Sequence, residues 1–432
     1  MEQGMGLRKE IYHKYCEILK QELVLAMGCT EPIAISYAAA IARDTLGRVP
    51  THVKLSLSGN IMKNVKSVIV PGTGGLRGMK AAIAAGIVAG CPERKLEVLS
   101  KLSKEDRSRI GQLLKECNIQ VNTLESGHIF DIQLTASSEH DVVKVRIVDL
   151  HTNVVFLQKN ETTLLELPVL EPAKESQMDL GVLTVEDIVT FADTVDLSKL
   201  ETILRQQVSN NMAIAEEGLK HSYGSNIGQI LMQSGLTDVR IRARAMAAAA
   251  SDARMNGCEM PVGIVSGSGN QGITASVPVV VYAKTLNVSE EKLLRALIVS
   301  NLITIHQKTG IGRLSAYCGV VSAGCGCGAG IAYLYGGGYK EVAHTIVNAV
   351  AILSGTICDG AKSSCAAKIS MAVESGILGF EMYQNGKQFY DGDGIVKKGV
   401  ENTIANVGRL ARIGMRETDR EIMKIMIEDN ET

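Results

Sequence analysis

Four cysteines stand where thiols could do chemistry: Cys29 in "GCT", Cys318 in "YCG", Cys358 in "CDG" and Cys365 in "SSC". Each lies beside a residue that lets the backbone turn. On one straight helix Cys358 and Cys365 would be about 10.5 Å apart, too far for two thiolates on one small cluster. Gly360 and the serine run predict instead that one helix ends near Cys358 and another begins near Cys365. Both sulfurs could then face one site, with N–H groups of the new helix toward anionic ligands. No C-x-x-C-x-x-C run and no tight C-x-x-C pair is present. Spacing alone fits buried thiols in a glycine-rich core equally well. Of the other cysteines, Cys16 and Cys117 sit in helical patterns, Cys91 in a loop and Cys258 near a helix end. Cys325 and Cys327, in "GCGCG", read as small packing residues between glycines.

The elements that must position these thiols fall into two regions. Residues 8–27 show helical periodicity, broken by "GCTEP", after which Pro32 suits the first turn of a helix ending at Gly47. "THVKLSLSG" and "VKSVIVPG" read as strands, and "LRGMKAAIAAGIVAG" as a helix. Residues 118–160 alternate apolar and polar side chains, as in a half-solvated antiparallel meander. Residues 161–185 read as loop, and the remainder is almost entirely helical. The fold class expected is α+β: an N-terminal α/β region with the meander over 1–185, and a mainly α-helical domain over 186–432.

Bulk composition narrows the function. The chain has 432 residues, and 45 basic against 46 acidic side chains give a net charge of −1. Nothing in that balance points to nucleic acid or a membrane surface. The charged, amphipathic N-terminus lacks the pattern of a signal peptide, and the apolar runs are too interrupted for a membrane span. A cytoplasmic location is expected, where the ten cysteines are thiols, metal ligands or catalytic groups rather than disulfides.

Taken together, "MGCTEP", "SGSGNQG" at 266–272, "AYCGVVSAGCGCGAG" at 316–330 and "ICDGAKSSCAAK" at 357–368 resemble the L-cysteine desulfidase family. That family is related to the iron–sulfur L-serine dehydratases. The resemblance runs in order over essentially the whole chain. It implies a [4Fe–4S] cluster held by Cys318, Cys358 and Cys365, with one iron open. It also implies an active-site role for Cys29 as a base. Some related serine dehydratases fill the open iron with a C-terminal cysteine. The ending "IMIEDNET" has none, so Cys29, substrate or water is expected there.

The expected reaction is elimination of sulfide from L-cysteine, giving pyruvate, ammonia and hydrogen sulfide. An exposed iron suits the leaving thiolate. Cys29, just before a helix start, would have its thiol pKa lowered by the positive dipole end. In "SGSGNQG", Ser268, Gly269, Asn270 and Gln271 offer closely spaced donors to a carboxylate, although a plain turn explains the glycines as well. Asn60 in "LSGNIMKN" is a second clamp or a strand-ending turn. His306 and Lys308, in "TIHQKTG" shortly before Cys318, are candidates for substrate contact, as is Glu31 for the substrate ammonium.

Three alternatives stand beside this reading. One is serine deamination on the same cluster. Another is a pyridoxal-phosphate lyase using Lys63 or Lys284, neither in a supporting context. The last is a non-enzymatic cluster sensor, for which no partner-binding module is evident. The partner expected is a small-molecule substrate, L-cysteine, without nucleic acid or membrane; a homo-oligomer is compatible with the sequence but not specified by it.

Overall fold

The computed structural model describes residues 7, 9–27, 30–128, 130–169, 179–233, 238–311 and 315–428. The chain begins with α1 (Lys9–Glu22) and then runs straight into β1 (Leu23–Met27). The helical periodicity predicted to 27 therefore stops five residues early. The cause is distant: β1 pairs antiparallel with β8 (Pro261–Val265), Leu23 opposite Val265. Helices α2 (Thr30–Leu46), α3 (Gly59–Val65), α4 (Gly78–Ala89) and α5 (Lys104–Glu116) follow, with β2 (His52–Ser58) between the first two. "VKSVIVPG" forms no strand; Val65 closes α3, and only an isolated bridge joins Ile69 to Arg77.

The sheet is completed by β3 (Asn118–Leu124), β4 (Asp131–Ser137), β5 (Val142–Val148), β6 (Val154–Lys159) and β7 (Thr162–Glu166). Its order is β3-β2-β4-β5-β6-β7. The antiparallel meander expected over 118–160 is present from β4 to β6 and continues into β7, but β3, its expected first strand, lies parallel to β2 at the edge. A chain returning through α3, α4 and α5 makes such a crossover, and a crossover gives a parallel pair. β7 occupies part of the segment read as loop; most of its side chains are exposed, so no burial pattern announced it. Val53, Leu55, Leu57, Ile132, Leu134, Val143, Val145 and Ile147 face the core under α2 and α4.

The C-terminal half is helical, with α6 (Val185–Thr194), α7 (Glu201–Lys220), α8 (Ile227–Gln233), α9 (Val239–Met255) and α10 (Gly269–Leu286). Then come α11 (Glu290–Ile311), α12 (Gly319–Leu334), α13 (Tyr339–Ile352), α14 (Cys365–Gln384), α15 (Val400–Arg409) and α16 (Arg416–Glu428). Helix α12 is buried among its neighbours because small residues admit them closely. A Cβ at Gly324 would lie 2.3 Å from the Ala372 carbonyl oxygen of α14, and one at Gly326 would lie 2.3 Å from Thr304 Oγ1 of α11. Cys325 and Cys327 are fully buried in this packing, and burial pushes their thiols well up.

The two cores exchange chain ends. Tyr15, Ile18 and Leu19 of α1 join the helical core, while Met423 of α16 packs against the sheet core. The mixed α+β class expected from the sequence is the class observed.

Candidate active site

Three cysteines from two loops line one cavity of about 180 Å³. Cys318 caps α12, and the residues before it run antiparallel to 356–358. The Cys318 N–H donates to the Thr356 carbonyl at 2.9 Å, and the Cys358 N–H to the Ala316 carbonyl at 2.5 Å. Tyr317 is bridged to Ile357, which leaves Cys318 and Cys358 as diagonal neighbours, within reach across such a pair. The expected helix end near Cys358 is not there: α13 stops at Ile352, and Cys358 sits in this short bridge. Past it, Gly360 takes φ +92° and turns the chain back, and Cys365 opens α14 as expected. The Cys365 thiol lies 3.7 Å from the Gly360 carbonyl. Asp359 braces the turn by pairing with Lys362 and, at 2.6 Å, with Lys368.

The thiols share their protons unequally. The interaction between the neighbouring Cys318 and Cys358 thiols raises the first and lowers the second; burial raises both. The Gly360 N–H and the charges of Lys63 and Lys368 also favour the Cys358 thiolate. Burial pushes Cys365 up. Gly269, Gly319 and Cys365, the first residues of α10, α12 and α14, all line the cavity. Three positive helix ends thus converge on the thiols, an arrangement that suits negative charge.

The facing wall is the segment from β8 into α10. Ser268 caps α10, its hydroxyl accepting from the Gln271 N–H at 3.4 Å. Asn270 is buried, its carbonyl oxygen accepting from Ser251 at 3.3 Å and Arg254 at 3.4 Å. Gln271 Oε1 and the Tyr317 hydroxyl are buried without a partner, and both residues line the cavity. Lys308, in the last turn of α11, is buried beside the cysteines. Burial lowers its ammonium pKa, and Cys358 and Cys318 oppose that. No hydrogen bond or ion pair of its ammonium is found among the described residues, and the side chain keeps a little exposure at the cavity.

Glu31, Ser268, Gly269, Asn270, Gln271 and Lys308 of the predicted set therefore meet the three cysteines at one cavity. Glu31 accepts from Asn64 Nδ2 at 3.1 Å. His306 does not line it: its Nε2 pairs with Glu401 at 2.7 Å. Cys29 and the Asn60 side chain lie outside the described residues. The sequence reading gave no cavity role to Asn64, Arg254, Tyr317 or Lys368, and considered Lys63 only as a Schiff-base lysine. For Lys63 and Asn64 the clue was their place one turn after the "SGN" already noted. Lys284 is exposed on α10.

Among the described residues no three His, Cys, Asp or Glu side chains are placed to hold a single metal ion. In an iron–sulfur cluster each thiolate binds a different iron, which requires a wider set. Three thiols, three helix N-termini, a buried cation and two unsatisfied polar atoms at one cavity fit such a group.

A family profile described as serine dehydratase alpha chain matches residues 93–424. A UPF0597 protein of Desulfitobacterium hafniense is 56% identical over 423 residues, covering 98% of each chain. Those of Treponema denticola and Lachnoclostridium phytofermentans are 46% and 48% identical, over 98% and 96% of this chain and 100% of their own.

Proposed function

This chain belongs to the serine dehydratase alpha-chain family, a family of iron–sulfur lyases, and we propose that it is an L-cysteine desulfidase. The observation that supports a cluster-dependent elimination is the meeting of Cys318, Cys358 and Cys365 at one cavity beside the buried Lys308; the choice of L-cysteine rests on the motifs shared with the desulfidase family. These cysteines would hold a [4Fe–4S] cluster, which when bound with three protein ligands supplies a Lewis-acidic iron for a leaving sulfur.

The remaining work falls to the chain. Lys308 and the N–H groups opening α10 hold the substrate carboxylate, with Asn270 and Gln271 as neutral donors. Glu31, steadied by Asn64, takes the substrate ammonium. Cys29, two residues before Glu31 and so within about 7 Å of chain, removes the α-proton. Loss of that proton and of sulfide from Cβ leaves aminoacrylate. Water then converts it to pyruvate and ammonia, and the sulfide takes up protons as hydrogen sulfide. The described cysteines are all free thiols, which suits a reducing cytoplasm. Among the described residues no helix is long and apolar enough to cross a membrane.

Serine dehydration on the same site is the second reading, favoured by the description of the matched family. Anaerobic turnover of L-cysteine beside L-serine, on one cluster-loaded preparation, separates the two. The desulfidase yields sulfide and pyruvate in equal amounts and prefers cysteine. Pyruvate from serine alone would make it a dehydratase, and turnover of neither would overturn both readings.

A further inference from the structure

Lys63 and Asp419 are 356 positions apart in the chain and meet beside the cavity, Nζ to Oδ1 at 2.5 Å. The Lys63 side chain is 5% exposed and that of Asp419 31%. Lys63 comes from the sheet region on α3, Asp419 from the C-terminal helix α16. Helix α3 is gripped from two sides. Toward the cavity, the Gly360 α-carbon packs on the Lys63 carbonyl, in the turn that separates Cys358 from Cys365. Away from it, Met423 of α16 rests on Gly59, its Cε 3.4 Å from where a Cβ would be, and Lys66 donates to the Met426 carbonyl. One short helix therefore touches both the thiol loop and the end of the fold.

We infer that Lys63 is a positioning residue for the thiol site, and that Asp419 is a counter-charge carried by α16 which sets how much of the Lys63 field reaches Cys358. The inference rests on the cysteines holding a cluster and is independent of which amino acid is the substrate. A buried ammonium beside a thiolate ligand stabilises the more negative, reduced cluster; a carboxylate on that ammonium weakens the effect. The two members of the pair must then act in opposite directions. A merely mechanical tie would act in one direction, because either substitution cuts the same contact.

The test is a potentiometric titration of the anaerobically reconstituted full chain, followed by electron paramagnetic resonance of the reduced cluster. Lys63→Gln should shift the midpoint potential down, Asp419→Asn should shift it up, and Lys63→Arg should restore it toward wild type. Should Lys63→Gln fail to load, Asp419→Asn decides, since that substitution keeps an oxygen for Lys63. An upward shift supports the inference; no shift or a downward one overturns it. Wild-type protein that takes up no cluster overturns the inference together with the ligand reading. A normal cluster whose potential ignores Asp419 overturns the inference alone.

Discussion

The α-carbon of Gly360 lies against the carbonyl oxygen of Lys63, so closely that a Cβ at 360 would stand 2.1 Å from that oxygen. Its φ of +92° is also one that side chains other than glycine rarely adopt. Gly360→Ala should therefore cost about 2–3 kcal/mol of stability in urea titrations. It should also loosen Cys358 and Cys365, so that chelators strip iron faster than from wild type. Unchanged stability would mean that the turn and α3 are not in contact.

Lys308 is a buried cation without a described partner. Replacing it with methionine should raise the stability of metal-free protein by about 1–3 kcal/mol, because a largely desolvated charge leaves the interior. The same change should raise KM for L-cysteine roughly 30-fold, the equivalent of about 2 kcal/mol of lost carboxylate contact. Thermal melts and steady-state kinetics on Lys308→Met report the two halves separately. A normal KM would remove Lys308 from the substrate site.

His306 should behave in the opposite way. It holds Glu401, which also accepts from the Val185 N–H at 2.8 Å, so it ties α11 to α15 and the start of α6. His306→Ala should lose about 1–3 kcal/mol of stability and leave KM for L-cysteine within about twofold. A large rise in KM with normal melting would return His306 to the substrate site.

These two residues show where a sequence reading runs out. His306 and Lys308 are two positions apart on one helix, and such residues do not share a face. Nearness to Cys318 in the chain therefore favoured both, while the fold brings only Lys308 to the cavity. Helices α2 and α4 were legible because their apolar patterns coincide with local starts and stops such as Pro32 and Gly47, while the C-terminal half was legible only as helical throughout. Leu23–Met27 continued a helical pattern and became a strand through partners at 261–265, which no local pattern records. Val65 and Val68 are three apart and Val68 and Val70 two apart, a run too short to separate a strand from a helix end and a turn. Lys63 looks like any surface lysine until Asp419 arrives from the other end of the chain. The cysteines were the clearest signal, because 318, 358 and 365 each lie at a break between elements.

Asp252 gives a pH signature away from the cysteines. Burial raises its carboxyl to about 6, although Oδ2 accepts from the Gly228 N–H at 3.0 Å; Oδ1 has no partner. A raised carboxyl binds its proton more tightly in the folded chain than in the unfolded one. Between the ordinary value of 3.8 and about 6, stability should therefore fall as pH rises. Melting temperatures of wild type and Asp252→Asn across that window should diverge, the variant having the flatter profile. Parallel profiles would contradict the raised value.

The central claim is that three cysteines leave one iron of a cluster free for substrate. Mössbauer spectroscopy of the anaerobically reconstituted chain, before and after L-cysteine, tests it most directly. The account predicts a [4Fe–4S] spectrum in which a single iron site changes on adding L-cysteine, and no such spectrum from Cys318→Ala, Cys358→Ala or Cys365→Ala. A full cluster in those variants, or a wild-type cluster in which every iron ignores L-cysteine, would contradict it.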